Sequence, residues 1–192
     1  MDIYDYVVII FCFFWIVSEI ILNRIKILKD NVNTKVKDNN SLAVIWIAVF
    51  LSVIISIIFT EVLEIGNILK YKLVLIIFSF ILIIIGSLIR YKAIFILKKA
   101  YSVNISISKN QKIIKKWLYK KVRHPGYLGM LISFIGLGLS FRNFYALIVV
   151  IIINILSLLN RINLEEKIMK EHFGYEYEKY CKETFRLIYK VY

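Results

Sequence analysis

The chain has 192 residues, of which 60% are hydrophobic, well above the roughly 45–50% of soluble domains, which excludes an ordinary water-soluble globule. Its formal charge of +13 is spread between apolar runs and not along one polar face, so anionic membrane lipids, and no nucleic acid, are the partner the charge implies. One proline and seven glycines leave long helices uninterrupted, and solid Ile, Leu, Val and Phe runs lack the alternation of a transmembrane barrel. The expected fold class is therefore all-α, a polytopic integral membrane protein.

A hydrocarbon core of roughly 30 Å is crossed by about 20 apolar residues in helical form. Five segments meet or approach that length, at residues 3–22, 42–59, 73–89, 127–141 and 144–159. The first opens Met-Asp with Asp5 close behind; it lacks a basic start and a small-residue cleavage site and reads as a retained helix. Residues 29–41, rich in Asn, Asp and Lys, form a polar loop. Arg24, Lys26, Lys29, Lys35 and Lys37, and the basic stretch 90–123, mark the cytoplasmic side, whereas Glu61 and Glu64 occupy a connection poor in positive charge. The N-terminus is then outside and the C-terminus cytoplasmic, in a cell membrane. In residues 109–122, Ile113, Ile114, Trp117 and Leu118 stand among lysines, a pattern that suits either a surface amphipathic helix or a basic loop. The last two apolar segments form a tight hairpin turning at Arg142 and Asn143. Cys12 and Cys181 have neither disulfide nor metal spacing and read as inert thiols.

Two polar clusters flank that hairpin. Residues 119–129 read Y-K-K-V-R-H-P-G-Y-L-G, and residues 161–180 read R-I-N-L-E-E-K-I-M-K-E-H-F-G-Y-E-Y-E-K-Y. A hairpin returns the chain to the side it left, so the clusters should meet in one composite site at one membrane surface. Pro125 biases His124 away from helical geometry and sets Arg123 and His124 at a helix mouth that favours anions; an interfacial anchor is the plainer reading. Arg161 and Glu165 are i,i+4 neighbours on a helix. Glu166 lies at the end of a membrane segment, where a carboxylate needs a partner, and a cofactor ammonium or sulfonium would suit it. His172, Glu176, Tyr177 and Tyr180 continue the helix, with Phe173, Tyr177 and Tyr180 read as an apolar stripe packing on the bundle. No Ser-His-Asp set, zinc spacing or glycine-rich phosphate loop is visible, so no metal is expected.

Taken together, Arg123-His124-Pro125-Gly126-Tyr127-Leu128-Gly129, Arg161 to Glu166, and Phe173-Gly174 with Tyr177 and Tyr180 resemble the isoprenylcysteine carboxyl methyltransferase family. Its C-terminal half carries R-H-P-x-Y-x-G, a helical hairpin, R-x-x-x-E-E and F-G-x-x-Y-x-x-Y. Gly86 to Arg90 is a weaker echo of the family's G-x-x-x-R. The resemblance implies about five transmembrane helices, and a C-terminal cytoplasmic helix capping a pocket for S-adenosylmethionine. It implies one domain over 1–192, with membrane helices in 1–107 and the cofactor-binding and catalytic part in 108–192. It puts Tyr119, Arg123, His124, Pro125 and Tyr127 on the cofactor, Glu165 or Glu166 on the cofactor's amino group, and Arg161 on a lipophilic acceptor entering from the membrane. Arg161 and Glu166 are the catalytic candidates. Gln111, Ile113, Ile114, Trp117 and Tyr119 stand where the family has H-x-L-V-x-x-G-x-Y, and Phe144 follows Asn143 where a proline is common.

The implied function is methyl transfer to a lipid or prenylated acceptor, a carboxylate of isoprenylcysteine type. A phospholipid amine is the alternative acceptor and would require a general base. A sterol-reductase-like NADPH enzyme, whose R-H-P-N-Y-L-G-D differs here at Gly126 and Met130, and a non-catalytic membrane scaffold complete the alternatives.

Overall fold

A computed structural model describes residues 3–29, 40–68, 70–97 and 112–192. Residues 30–39 of the polar loop, residues 98–111 of the basic connection, Gln111 among them, and the side chains at 24, 26 and 29 lie outside the described residues. Among the described residues six α-helices form: α1 (Ile3–Lys29), α2 (Ser41–Ile57), α3 (Lys72–Leu97), α4 (Pro125–Ser140), α5 (Phe144–Phe173) and α6 (Tyr175–Glu183). A wider π turn, Ile58–Val62, continues α2. Among the described residues no strand forms beyond two isolated bridges.

Each expected apolar segment falls on one of the first five helices. Among the described residues three helical stretches are long and apolar enough to cross a bilayer, Ser41–Val62, Lys72–Leu97 and Phe144–Phe173, and two apolar helices are shorter, Val8–Ile21 and Pro125–Ser140. α1, α3 and α5 run past their apolar stretches because no proline interrupts them. α5 stops only at Gly174, whose φ of 50° is a left-handed geometry that a glycine adopts without steric cost. Pro125 occupies the first turn of α4, where its missing N–H is no loss.

Close backbone approach locks α3 to α4. A methyl group on Gly86 would fall 2.5 Å from the Gly129 carbonyl oxygen, and one on Gly136 would fall 2.7 Å from the Ser79 carbonyl oxygen. Small residues allow such contact between membrane helices, where dispersion replaces the hydrophobic effect as the driving force. α2 meets α5 through a buried polar seam, the Asn154 amide donating to Ser52 Oγ at 2.9 Å. α1 leans on α3 through the Phe11 and Phe80 rings, 4.3 Å apart, a Ser18–Tyr91 hydroxyl contact of 2.6 Å and an Arg90–Glu19 ion pair of 2.7 Å. Ile45, Val49, Phe134, Val150, Leu158 and Ile162 close the core. Ile47, Phe50, Leu88, Phe95 and Leu156 face outward and exposed, as a lipid-facing surface requires.

The α4–α5 hairpin turns at Arg142, with φ 52°, and Asn143, whose Oδ1 caps α5 by accepting from the Ala146 amide at 3.0 Å. Phe144, in the place of the common proline, donates its backbone N–H to the Gly66 carbonyl at 2.9 Å. A proline would lack that donor.

Gly86→Ala is expected to destabilise the detergent-purified protein by about 1–3 kcal/mol through overpacking. Gly126→Ala, whose methyl group would meet nothing nearer than 3.9 Å, should leave the melting temperature unchanged or slightly raised; thermal unfolding of both variants checks the contrast.

Candidate functional site

On α5 the buried residues Val150, Asn154, Ser157, Leu158, Arg161, Ile162 and Glu166 follow helical spacing, so the stripe that packs the core continues into the polar cluster. Arg161 and Glu166 therefore point inward, 5% and 8% exposed. His124, at φ −122° and ψ 58°, is non-helical just before α4, as the following proline demands, and is buried at 6%. The hairpin does bring the two clusters together.

Glu166 is the hub. Its Oε1 accepts from Arg123 Nε at 2.9 Å and lies 3.2 Å from His124 Nε2, while its Oε2 faces Arg186 Nε at 3.0 Å. The charges that meet it thus come from the protein. Arg123 also donates to the carbonyls of Cys181 and Thr184, at 3.1 and 2.5 Å. The backbone reinforces this closure: Arg123 N–H donates to Phe185, His124 N–H to Arg186, and Phe185 N–H to Lys121. The segment after α6 is thereby laid along the entrance to α4.

Beside the hub, the Tyr127 hydroxyl accepts from Arg161 Nε at 2.8 Å and donates to Glu165 Oε2 at 2.8 Å. The expected i,i+4 neighbours Arg161 and Glu165 are thus joined by a tyrosine from the other cluster. Arg161 Nη1 also reaches Ser41 Oγ, at 2.5 Å, on the first turn of α2. Inward from these groups lies a cavity with an open mouth. Arg161, Tyr127, Arg90 and Glu19 line it with polar groups, and Trp15, Trp46, Val49, Met130 and Phe134 with apolar ones.

The remaining expected site residue, Tyr119, is buried, its hydroxyl 3.5 Å from the Ala93 carbonyl, and its own carbonyl accepts from Tyr180 at 2.7 Å. Residues 112–116 have no regular structure and Trp117–Lys120 form a single 3-10 turn, so the described part of this stretch is a basic loop and not an amphipathic helix. Trp117, in place of the resembling family's glycine, has φ 54°, the left-handed geometry for which glycine is suited. Its ring lies under the Lys92 ammonium at 4.9 Å. Tyr177 and Tyr180 are buried at 2% and 4%, which agrees with the packing stripe. Burial pushes both phenols above their ordinary range, and at Tyr177 the Glu166 charge adds to the effect, so both stay protonated.

Reading of the residues in sequence missed Arg186, Ser41 and Glu19. Arg186 and Ser41 carry no local signal, since each reaches the site only through tertiary folding. Glu19 did carry one, a lone carboxylate inside an apolar run.

The family model for isoprenylcysteine carboxyl methyltransferase matches residues 76–171, half of the chain. A "Probable protein-S-isoprenylcysteine O-methyltransferase" of Oryza sativa subsp. indica is 28% identical over 106 residues, covering 54% of this chain and 56% of the relative. "Protein-S-isoprenylcysteine O-methyltransferase B" of Arabidopsis thaliana is 28% identical over 107 residues, covering 55% and 54%. The chain spans about half the length of the curated relatives it matches.

The left-handed residue can be tested by comparing Trp117→Gly with Trp117→Ala. Both lose the ring and only glycine relieves the backbone, so Trp117→Gly should be the more stable by about 1 kcal/mol in thermal or denaturant unfolding.

Proposed function

The chain belongs to the isoprenylcysteine carboxyl methyltransferase family, and on that premise we propose that it transfers a methyl group from S-adenosylmethionine to a carboxylate of a lipophilic, isoprenylcysteine-like acceptor. The observation that carries this reading is the meeting of the two clusters above a cavity, with Tyr127 bridging Arg161 and Glu165. Five membrane-crossing helices, with the N-terminus outside and α6 on the cytoplasmic side, complete the arrangement. It is one domain whose catalytic part is residues 108–192.

The donor set fits the cofactor. Among the described residues Glu165 receives a hydrogen bond only from Tyr127, which leaves a carboxylate oxygen for an ammonium group. Glu166, committed to Arg123, His124 and Arg186, fixes the walls on which Tyr119, Arg123, His124, Pro125 and Tyr127 would hold the rest. When bound, S-adenosylmethionine supplies a methyl group on an electrophilic sulfonium. Arg161 stands at the cavity, where it holds the acceptor carboxylate by charge-assisted hydrogen bonds. An acceptor carboxylate would have no proton to remove, so these residues would have to supply proximity, orientation and exclusion of water. The apolar walls do the last of these.

Calorimetry of detergent-purified protein should show binding of S-adenosylhomocysteine and none of NADPH; the reverse would replace this reading with the reductase, and neither would favour the scaffold. Glu165→Gln is expected to weaken S-adenosylhomocysteine about ten- to a hundred-fold, the size of one charge-assisted hydrogen bond. Arg161→Ala should abolish methyl transfer while the protein still expresses and folds, and Glu166→Gln, which leaves Arg123 and Arg186 without their carboxylate, should abolish it with a loss of stability; full activity in both would remove the site assignment.

A further inference from the structure

The segment after α6 has two faces. Its inner face closes the site: Arg186 Nε lies 3.0 Å from Glu166 Oε2, and Leu187, 1% exposed, belongs to the same core cluster as Leu131 and Phe134. Its outer face carries Phe185, Ile188, Tyr189 and Val191, all exposed. The Phe185 and Tyr189 rings meet edge to face at 5.3 Å, and the Lys121 and Lys190 ammonium groups lie over the Tyr189 ring at 5.1 and 5.7 Å. Backbone bonds fix this face at the entrance to an apolar helix. Arg123 N–H donates to the Phe185 carbonyl and Phe185 N–H to that of Lys121, and α4 begins at Pro125.

A cluster of exposed apolar side chains marks a surface that something covers. Whatever covers this one has to suit aromatic rings, aliphatic side chains and two ammonium groups in one short stretch. Bulk water would leave the apolar part bare, and the hydrocarbon core would strand the lysines. The boundary layer of a bilayer suits both, because aromatic rings settle at headgroup level and lysines are drawn to anionic headgroups. We propose that residues 185–191, together with Lys121, dock on anionic lipid headgroups, and that this docking holds the segment, and with it Arg186, against Glu166. The charge of the surrounding lipid thereby steadies the frame of the site. The inference rests on the membrane arrangement already proposed and adds to it a partner for one defined surface.

The test compares the full-length protein in nanodiscs of phosphatidylcholine with and without phosphatidylglycerol. Acetylation of Lys121 and Lys190, read by mass spectrometry, should slow about tenfold when phosphatidylglycerol is present, and high salt should remove the difference. Lys179, exposed on α6, is the internal reference and should change little. Hydrogen exchange of the Arg123, His124 and Phe185 amides, which bond across the junction, should slow by about the same factor. In the double variant Lys121→Gln, Lys190→Gln this slowing of exchange should vanish; Lys190→Gln alone should lose part of it and serves if the double variant fails to fold. Equal acetylation in the two lipids would overturn the docking surface, and so would slowing that follows protein concentration, as contact with a second copy would give. Slower acetylation with unchanged exchange, or slower exchange surviving both substitutions, would overturn the link to Glu166. Neither readout involves the cofactor, so a failure of S-adenosylhomocysteine to bind would overturn the methyltransferase reading and leave this one decided by its own measurements.

Discussion

A single carboxylate ties the site together. Glu166 receives Arg123 and His124 from the entrance to α4 and Arg186 from the segment after α6, and so joins three stretches of chain. A buried charge of this kind has to be compensated where it lies, since desolvation makes an unpaired one costly. The compensation comes from both sides of the hairpin and therefore fixes how α4 and α5 sit at their polar ends. The apolar stripe of α5 orients Glu166 inward, and Pro125 keeps His124 off helical geometry, so local rules on two helices supply what the ion-pair cluster needs.

The cluster and the cavity have opposite dielectric character. Around Glu166 the carboxylate is met by three side chains of the protein, Arg123, His124 and Arg186. At the cavity, Arg161 donates to Tyr127 and Ser41. Glu19 and Trp15 have polar atoms with no protein partner. The site thus sets residues that build its frame beside residues that line a cavity.

Much of this was legible in the amino-acid sequence because it depends on neighbours along the chain. Apolar runs of membrane length located five helices, Pro125 marked the start of α4, and the turn at Arg142 and Asn143 foretold that the two clusters would meet. Helix lengths were less legible: charged residues end a hydrophobic run without ending a helix, so α1, α3 and α5 all extend past their apolar segments. The stretch before Arg123 could not be decided from its alternation of lysine and apolar residues. Its backbone is instead set by bonds to the segment after α6. Arg186 and Ser41 were invisible for the same reason, since their importance lies in contacts made across the fold. Glu19 could have been found, because ionisable residues within apolar helices need a partner wherever they occur.

The charge of Arg161 bears on how a reaction cycle would end. Under the proposed chemistry the acceptor arrives as an anion and leaves as an ester, so the act of methylation erases the charge by which the arginine holds it. The sulfonium loses its charge in the same event. Tyr127 and Ser41 then compete for the guanidinium against a product that has become a weak ligand. Turnover would be favoured by the product's own neutrality, and no hydrolysis or conformational work would be needed to expel it.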